Sequence, residues 1–344
     1  SSPSVNGSGP YGVIASANGT LFGATGSGGT YTSGILYMLV PSGRSYKQKV
    51  LHSMTGSDGT EPGLLAMDKA GALYGSAIYG GSGGALCGTA GCGVVFKLTP
   101  SAGGSYSYSV LRNFAGGADG IGPMGRLAIA SNGTLYGATI EGGVATAQCQ
   151  QGCGTIFSLT PSGRAYRYKV LYRFRGGADG EYPMGGVVVG ATAATQSQLF
   201  GVTSGGGDVA ECYTPQSVPG CGTVYAFASG KKTTLYGFRG YTFNDGEIPA
   251  AGLTATATGL LGTTSLGGNQ TAYNSVGTIW SIAYSGTGYT TLHNFDGVEY
   301  GTDGRSPDSP LTQFGNAYVT SIQQGGGSKA CGFYGCGVLV ALTL

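Results

Sequence analysis

Apolar residues come in short runs set apart by glycine, asparagine, serine and proline, and no stretch carries the longer 3.6-residue periodicity of an amphipathic helix. One run recurs as Leu21-Phe22-Gly23, Leu73-Tyr74-Gly75, Leu135-Tyr136-Gly137, Leu199-Phe200-Gly201, Leu260-Leu261-Gly262 and, worn down, Ala317-Tyr318-Val319, at intervals of 52 to 64 residues. A Gly-Gly pair follows each, beginning at Gly28, Gly80, Gly142, Gly206, Gly267 and Gly325. Next comes an apolar run opened by glycine, as in Gly34-Ile35-Leu36-Tyr37, Gly93-Val94-Val95-Phe96, Gly154-Thr155-Ile156-Phe157, Gly222-Thr223-Val224-Tyr225, Gly277-Thr278-Ile279-Trp280 and Gly337-Val338-Leu339-Val340. β-Branched and aromatic residues at this density predict strands. An alternating run follows, clearest in Tyr166 to Phe174 and matched by Tyr106 to Phe114 and Tyr46 to Met54, which predicts a half-exposed edge strand. With the short apolar segment after each proline, such as Gly125 to Ile129, every full repeat holds four strands.

The register is set by Asp-Gly with proline four residues after the Asp: Asp58 to Pro62, Asp119 to Pro123, Asp179 to Pro183, Asp245 to Pro249 and Asp303 to Pro307, with Asn6-Gly7 to Pro10 as a sixth copy. Four antiparallel strands in repeats of this length predict an all-β, six-bladed β-propeller of four-stranded blades. The expected repeats run over about 10–59, 62–120, 123–180, 183–246, 249–304 and 307–344 joined by 1–7, in one domain whose ring is closed by the two termini. A solenoid would need no sharing of a blade between the ends. The last repeat ends in an apolar strand, and its open edge is expected to be covered by Ser1 to Val5 and otherwise by a neighbouring chain.

The succession Leu-Tyr-Gly-Ala-Thr, Gly-Gly, Cys-Gly-Thr-Ile-Phe-Ser-Leu-Thr-Pro-Ser-Gly and Val-Leu-Tyr-Arg-Phe, within Leu135 to Phe174, resembles the GloVer tandem repeat of exported bacterial proteins. The resemblance covers nearly the whole chain and weakens after Pro307. It implies a secreted or surface-anchored repeat protein, and it brings no catalytic residue with it.

Composition sharpens this picture. Gly is 70 of 344 residues and charged residues are 9%, with 41% hydrophobic residues, enough for a core joined by many tight turns. A net charge of +2 gives no reason to expect nucleic acid or an anionic membrane as partner. No apolar stretch is long enough to span a bilayer, and the first residues lack the features of a signal peptide, so a processed, exported chain is expected. The eight cysteines fall into close pairs, Cys87 with Cys92, Cys149 with Cys153, Cys212 with Cys221 and Cys331 with Cys336, which predicts four local disulfides in an oxidising compartment. Zinc competes for such spacing, but each pair lies in a different repeat and the two histidines sit elsewhere in the repeat.

With the strands of a blade named A to D from the channel outward, A-to-B and C-to-D connections are tight turns on one face, whereas B-to-C and D-to-A loops carry the cysteines on the other. Fourteen of the 15 acidic residues fall in or beside the loops of the cysteine face, all but Asp68. Most of the basic residues, Arg44, Lys47, Lys49, Lys97, Arg112, Arg164, Arg167, Lys169, Lys231 and Lys232 among them, lie on strands C and D or in the opposite turns. An acidic face and a basic flank follow.

The repeated Asp has a structural reading, a turn residue that bonds nearby backbone, and a sharper one, a ring at the channel mouth that binds a cation or sugar hydroxyls. The candidate ligand residues are Asp58, Glu61, Asp119, Asp179, Glu181, Tyr182, Asp245, Glu247 and Asp303. No cofactor is called for, and such a ring needs no calcium to exist. His52 and His293 fall where other repeats have Arg112, Tyr172 and Tyr236, which predicts a solvent-facing edge position rather than a catalytic one. Gly80 to Gly84 matches Gly-x-Ser-x-Gly without the strand-to-helix context of a nucleophile. Asp58 with Glu61, Asp179 with Glu181 and Asp245 with Glu247 could serve a glycoside hydrolase or a lyase-type propeller enzyme. Tyr31, Tyr79, Tyr182, Tyr213, Tyr273 and Tyr334 stand in the same loops, where rings suit sugars. The favoured expectation is a non-catalytic extracellular module, binding a glycan or surface partner or copies of itself, with a head-to-tail filament as an alternative.

Overall fold

The structure, a computed structural model, describes residues 5–82, 84–207, 212, 220–269, 276–295, 304–307, 309–322 and 338–343. Antiparallel sheets follow one another along the chain as the blades of a six-bladed β-propeller, the fifth blade comprising a four-stranded sheet and a two-stranded ladder of Gly246–Glu247 with Leu266–Gly267. The chain falls into two compact units, 1–144 with 154–173 and 145–153 with 174–344. Strands B, C and D of the third blade are Leu135–Glu141, Thr155–Ser162 and Ala165–Arg173, paired in the order A-B-C-D with Ile121–Ile129 as strand A. The sixth blade shows three strands among the described residues, Thr312–Phe314, Ala317–Ile322 and Val338–Thr343. Leu339 on its last strand is 73% exposed. Residues 1–4, expected along that edge, lie outside the described residues, while Ser8–Pro10 pairs with Leu21–Ser27 of the first blade.

The recurrent glycine of strand B has a steric reason. It stands directly across from the aromatic residue of strand C: Gly23 from Tyr37, Gly75 from Phe96, Gly137 from Phe157, Gly201 from Tyr225 and Gly262 from Trp280. A methyl group on Gly75 or Gly137 would lie 2.5 Å from Cζ of the facing phenylalanine. The ring thus lies over bare backbone, and its burial contributes about 1.5–3 kcal/mol per blade. In the sixth blade Val319 replaces the glycine and pairs with Ala341, so ring and notch are lost together.

Neighbouring blades are joined by the Asp-Gly-x-x-Pro segment, which the structure makes part of strand A and not merely a turn before it. Thr60 pairs with Tyr79 and Pro62 with Ala77, and Ile121 pairs with Glu141. The residue before each proline adopts positive φ: Glu61, Tyr182, Ile248 and Ser306 at 54° to 56°, with Gly9 and Gly122 at the equivalent points. This conformation is uncommon for residues other than glycine. It turns the residue's N–H to the preceding blade, where it donates to the carbonyl just before the glycine that opens strand C. The bonds are Glu61 N to Ser33 O, Gly122 N to Cys92 O, Tyr182 N to Cys153 O, Ile248 N to Cys221 O and Ser306 N to Val276 O, at 2.7 to 3.1 Å. The proline then packs on that glycine, where a methyl group on Gly93 would lie 2.5 Å from Cδ of Pro123.

Cys87–Cys92, Cys149–Cys153 and Cys212–Cys221 are disulfides. In all three the second cysteine supplies the acceptor carbonyl of the junction, so the bridges close the loops that hold the seams in place. Cys331 and Cys336 lie outside the described residues.

The Gly93→Ala variant combines positive φ with a blocked proline and is expected to lose clearly more than about 1 kcal/mol of unfolding free energy. Gly103→Ala, at φ 74° in open space, carries only the backbone strain. Chemical denaturation should therefore place Gly93→Ala well below Gly103→Ala, and equal losses would count against the proline contact.

Candidate functional site

The repeated Asp is occupied within its own turn. Asp58 accepts the Thr55 N–H at 2.7 Å through Oδ1 and meets Nε2 of His52 at 2.8 Å through Oδ2. Asp119 accepts the Ala115 N–H at 2.8 Å and pairs with Nη2 of Arg112 at 2.5 Å. Asp179 accepts the Arg175 N–H at 2.9 Å and lies 3.3 Å from Nζ of Lys232. Asp245, nearly inaccessible, accepts from the Arg239 and Gly246 N–H groups and from the Tyr236 hydroxyl. Each carboxylate therefore ties the end of strand D to the start of the next blade. Asp303 lies outside the described residues.

Strand D of the following blade completes a clasp. The Tyr108 hydroxyl donates to the Asp58 carbonyl at 2.6 Å, the Tyr168 hydroxyl to that of Asp119, and Nζ of Lys232 to that of Asp179 at 2.5 Å. Tyr108 stacks on His52 with centroids 4.0 Å apart, Arg112 lies over Tyr168 at 4.2 Å, and Tyr289 stacks on Tyr236 at 4.1 Å. Burial, then the nearby Asp, pushes the phenols of Tyr108 and Tyr168 up. The strand D position expected to face solvent at His52 is therefore half-buried and links two blades. It accepts His, Arg and Tyr because each offers a flat group to stack and a polar atom for the Asp. The stacking partners Tyr108 and Tyr168 were missed in the sequence, although their alternation with Tyr106 and Tyr166 marks them as inward-facing.

The glutamates separate into two kinds. Glu61 occupies the positive-φ place before proline, as Tyr182 does, so it is the counterpart of Tyr182 and not of Glu181. Glu181 and Glu247 sit one residue earlier, where other blades have Thr60 and Ile121, and both are fully buried. Oε1 of Glu247 accepts the Tyr241 N–H at 3.0 Å. Oε2 of Glu181 lies 3.0 Å from Sγ of Cys149, and its Oε1 has no partner among the described residues. A disulfide sulfur carries no proton, so this contact is a hydrogen bond only when Glu181 holds one. Burial accordingly pushes its carboxyl up to about 7. Cys149, Cys153 and Glu181 bring three metal-type ligand atoms within 4.8 Å of one another, but the two sulfurs are bonded to each other and offer no thiolate.

Among the described residues, the loops of the cysteine face present several aromatic and apolar side chains to solvent. Tyr31 is 57% and Tyr79 44% exposed, and Leu86, between Gly84 and Cys87, is also exposed. All three belong to the first compact unit. In the second, Phe243 is exposed, with the guanidinium of Arg239 at 5.0 Å over its ring. Leu86 and Phe243 were not singled out in the sequence, where their only mark is an apolar residue amid turn formers. Tyr213, Tyr273 and Tyr334 lie outside the described residues.

A carboxyl raised by folding binds its proton more tightly in the folded chain, so its contribution is complete below the ordinary glutamate range and is lost as pH rises through about 7. Melting temperature is thus expected to fall between pH 5 and pH 8 more steeply in the unsubstituted protein than in Glu181→Gln. Parallel profiles would show that Glu181 does not titrate in this window.

No curated protein matches the chain by sequence. Among solved structures, a gluconolactonase of Xanthomonas campestris is 15% identical with a TM-score of 0.51, over 94% of this chain and 85% of that one. A candidate 6-phosphogluconolactonase of Bacteroides uniformis is 10% identical with a TM-score of 0.53, over 90% and 77%. A Dyadobacter fermentans protein of unknown function is 13% identical with a TM-score of 0.51, over 91% and 88%. At such identities the likeness concerns the fold alone. The sequence pattern of the Gloeobacter/Verrucomicrobia repeat matches residues 85–334, most of the chain. The chain belongs to the Gloeobacter/Verrucomicrobia repeat family.

Proposed function

We propose that this chain is a non-catalytic binding module that works outside the cell and holds a carbohydrate on the loops of its cysteine face. The observation that carries the reading is the contrast between engaged carboxylates and exposed rings. Asp58, Asp119, Asp179 and Asp245 are held by backbone and strand D groups, and Glu181 and Glu247 are closed off from water. Acid–base chemistry on a glycoside needs two carboxyl groups open to one cleft. Tyr31, Tyr79 and Leu86 instead present flat or apolar surface, the kind of platform on which a sugar ring stacks. The disulfides fit an oxidising compartment, and among the described residues no helix is long and apolar enough to cross a membrane. Glu61 remains a candidate among the acidic-loop residues, since the seam bond is donated by its backbone N–H.

Glycan-array binding is the test. Tyr31→Ala and Tyr79→Ala together should weaken a bound glycan by about tenfold or more, while Asp119→Asn chiefly lowers stability, by about 1 kcal/mol through loss of a partly buried charged partner. Binding that survives both tyrosine changes would overturn the site, and turnover of glycosides or lactones would overturn the non-catalytic reading.

A further inference from the structure

The modest net charge conceals a division. The first compact unit carries eleven Lys and Arg against five Asp and Glu, whereas the second carries six against ten. Within the first unit the excess is concentrated on two strands. Arg44, Lys47 and Lys49 belong to strand D of the first blade, Ser45–Ser53, and the turn before it. Arg164, Arg167 and Lys169 hold the corresponding places at strand D of the third, Ala165–Arg173. The register makes the correspondence: Tyr46 pairs with Pro41 and Tyr166 with Pro161, so Lys47 matches Arg167 and Lys49 matches Lys169. On each strand the two cations are two residues apart and share one side. All six residues are exposed, and none makes an ion pair among the described residues.

Between them runs strand D of the second blade, Ser105–Asn113, which touches both of the others. Nζ of Lys49 reaches across to the Gly104 carbonyl at 3.0 Å. At the matching positions this middle strand has Ser107 and Ser109, both exposed, which pair with Thr99 and Lys97. The three strands thus form one surface, cationic at both margins and lined with hydroxyls in the middle.

Charge on an exposed edge strand commonly guards against edge-to-edge pairing. The middle strand has the same exposure pattern as its neighbour in the third blade and does without it, so edge protection alone does not call for three cations on each flanking blade. We propose that this strip of three D strands docks an anionic polysaccharide, its sulfate or carboxylate groups meeting Arg44, Lys47, Lys49, Arg164, Arg167 and Lys169 and its hydroxyls meeting Ser107 and Ser109. A sugar polymer fits better than nucleic acid because the middle of the strip offers hydroxyls and no exposed ring for a base to stack on. The disulfides also fit an oxidising compartment, where such polymers are found more readily than nucleic acid. The strip is separate from the loops that carry Tyr31 and Tyr79, and the two surfaces stand or fall independently.

The experiment measures binding of a heparin oligosaccharide to the full chain at physiological ionic strength, with neutral dextran as control. The variant Lys47→Ser/Lys49→Ser/Arg167→Ser/Lys169→Ser writes the second blade's residues onto the other two, and it should fold with an unchanged melting temperature because the replaced side chains are exposed. It is expected to bind heparin about tenfold or more weakly, with a shallower dependence on salt. Lys69→Ser, in the turn between strands A and B of the second blade, and Tyr31→Ala/Tyr79→Ala, on the loops, should bind as the unsubstituted protein does. The proposal is overturned by heparin binding no stronger than that of dextran, by binding that the four serines leave intact, or by duplex DNA that binds as tightly as heparin and displaces it.

Discussion

Every described junction between blades turns on one backbone hydrogen bond, donated by the residue before the proline to the carbonyl before the strand C glycine. The bond can form only if the donor holds a left-handed conformation, and at four junctions a residue other than glycine is held there. Such strain, on the order of 1 kcal/mol or more, persists only when the surroundings fix it. Here the proline limits the backbone on one side, and its ring fills the space that the strand C glycine leaves open. Proline, glycine and the strained residue therefore form one device, distributed over two blades.

The same device accounts for the acidic residues. The Asp that opens the segment must bring the end of strand D round to strand A, and its carboxylate caps the N–H groups exposed by that turn. Its carbonyl then becomes the acceptor for the next blade's tyrosine or lysine. A residue with so many partners is recurrent for architectural reasons.

Much of this was legible in the sequence. The Leu-Tyr-Gly element, the glycine opening strand C and the alternating strand D all fall where the pattern places them, because strand periodicity and glycine punctuation are local signals. The pairing of Gly137 with Phe157, or Gly75 with Phe96, was not visible, since it depends on register between two strands. The role of His52 was misread for a related reason: a position that tolerates His, Arg and Tyr resembles a solvent site until Tyr108 of the next blade is placed against it. The grouping of Asp58 with Glu61 as an analogue of Asp179 with Glu181 failed by one residue, which in a strand sends the side chain to the other face. Burial of Glu181 against Cys149 joins residues more than two dozen positions apart, beyond the reach of any short motif.

The seam bond is made entirely by main-chain atoms, and the side chain of its donor takes no part in it. That residue is Glu61 in one blade, Gly122 in another, and Tyr182, Ile248 and Ser306 in the rest: acidic, bare, aromatic, aliphatic and hydroxylic by turns. Geometry at these places is dictated while chemistry is left open. Drift in sequence can therefore change what each blade displays at that point without disturbing how the blade is joined to its neighbour, and a repeat architecture becomes a rack of interchangeable fittings.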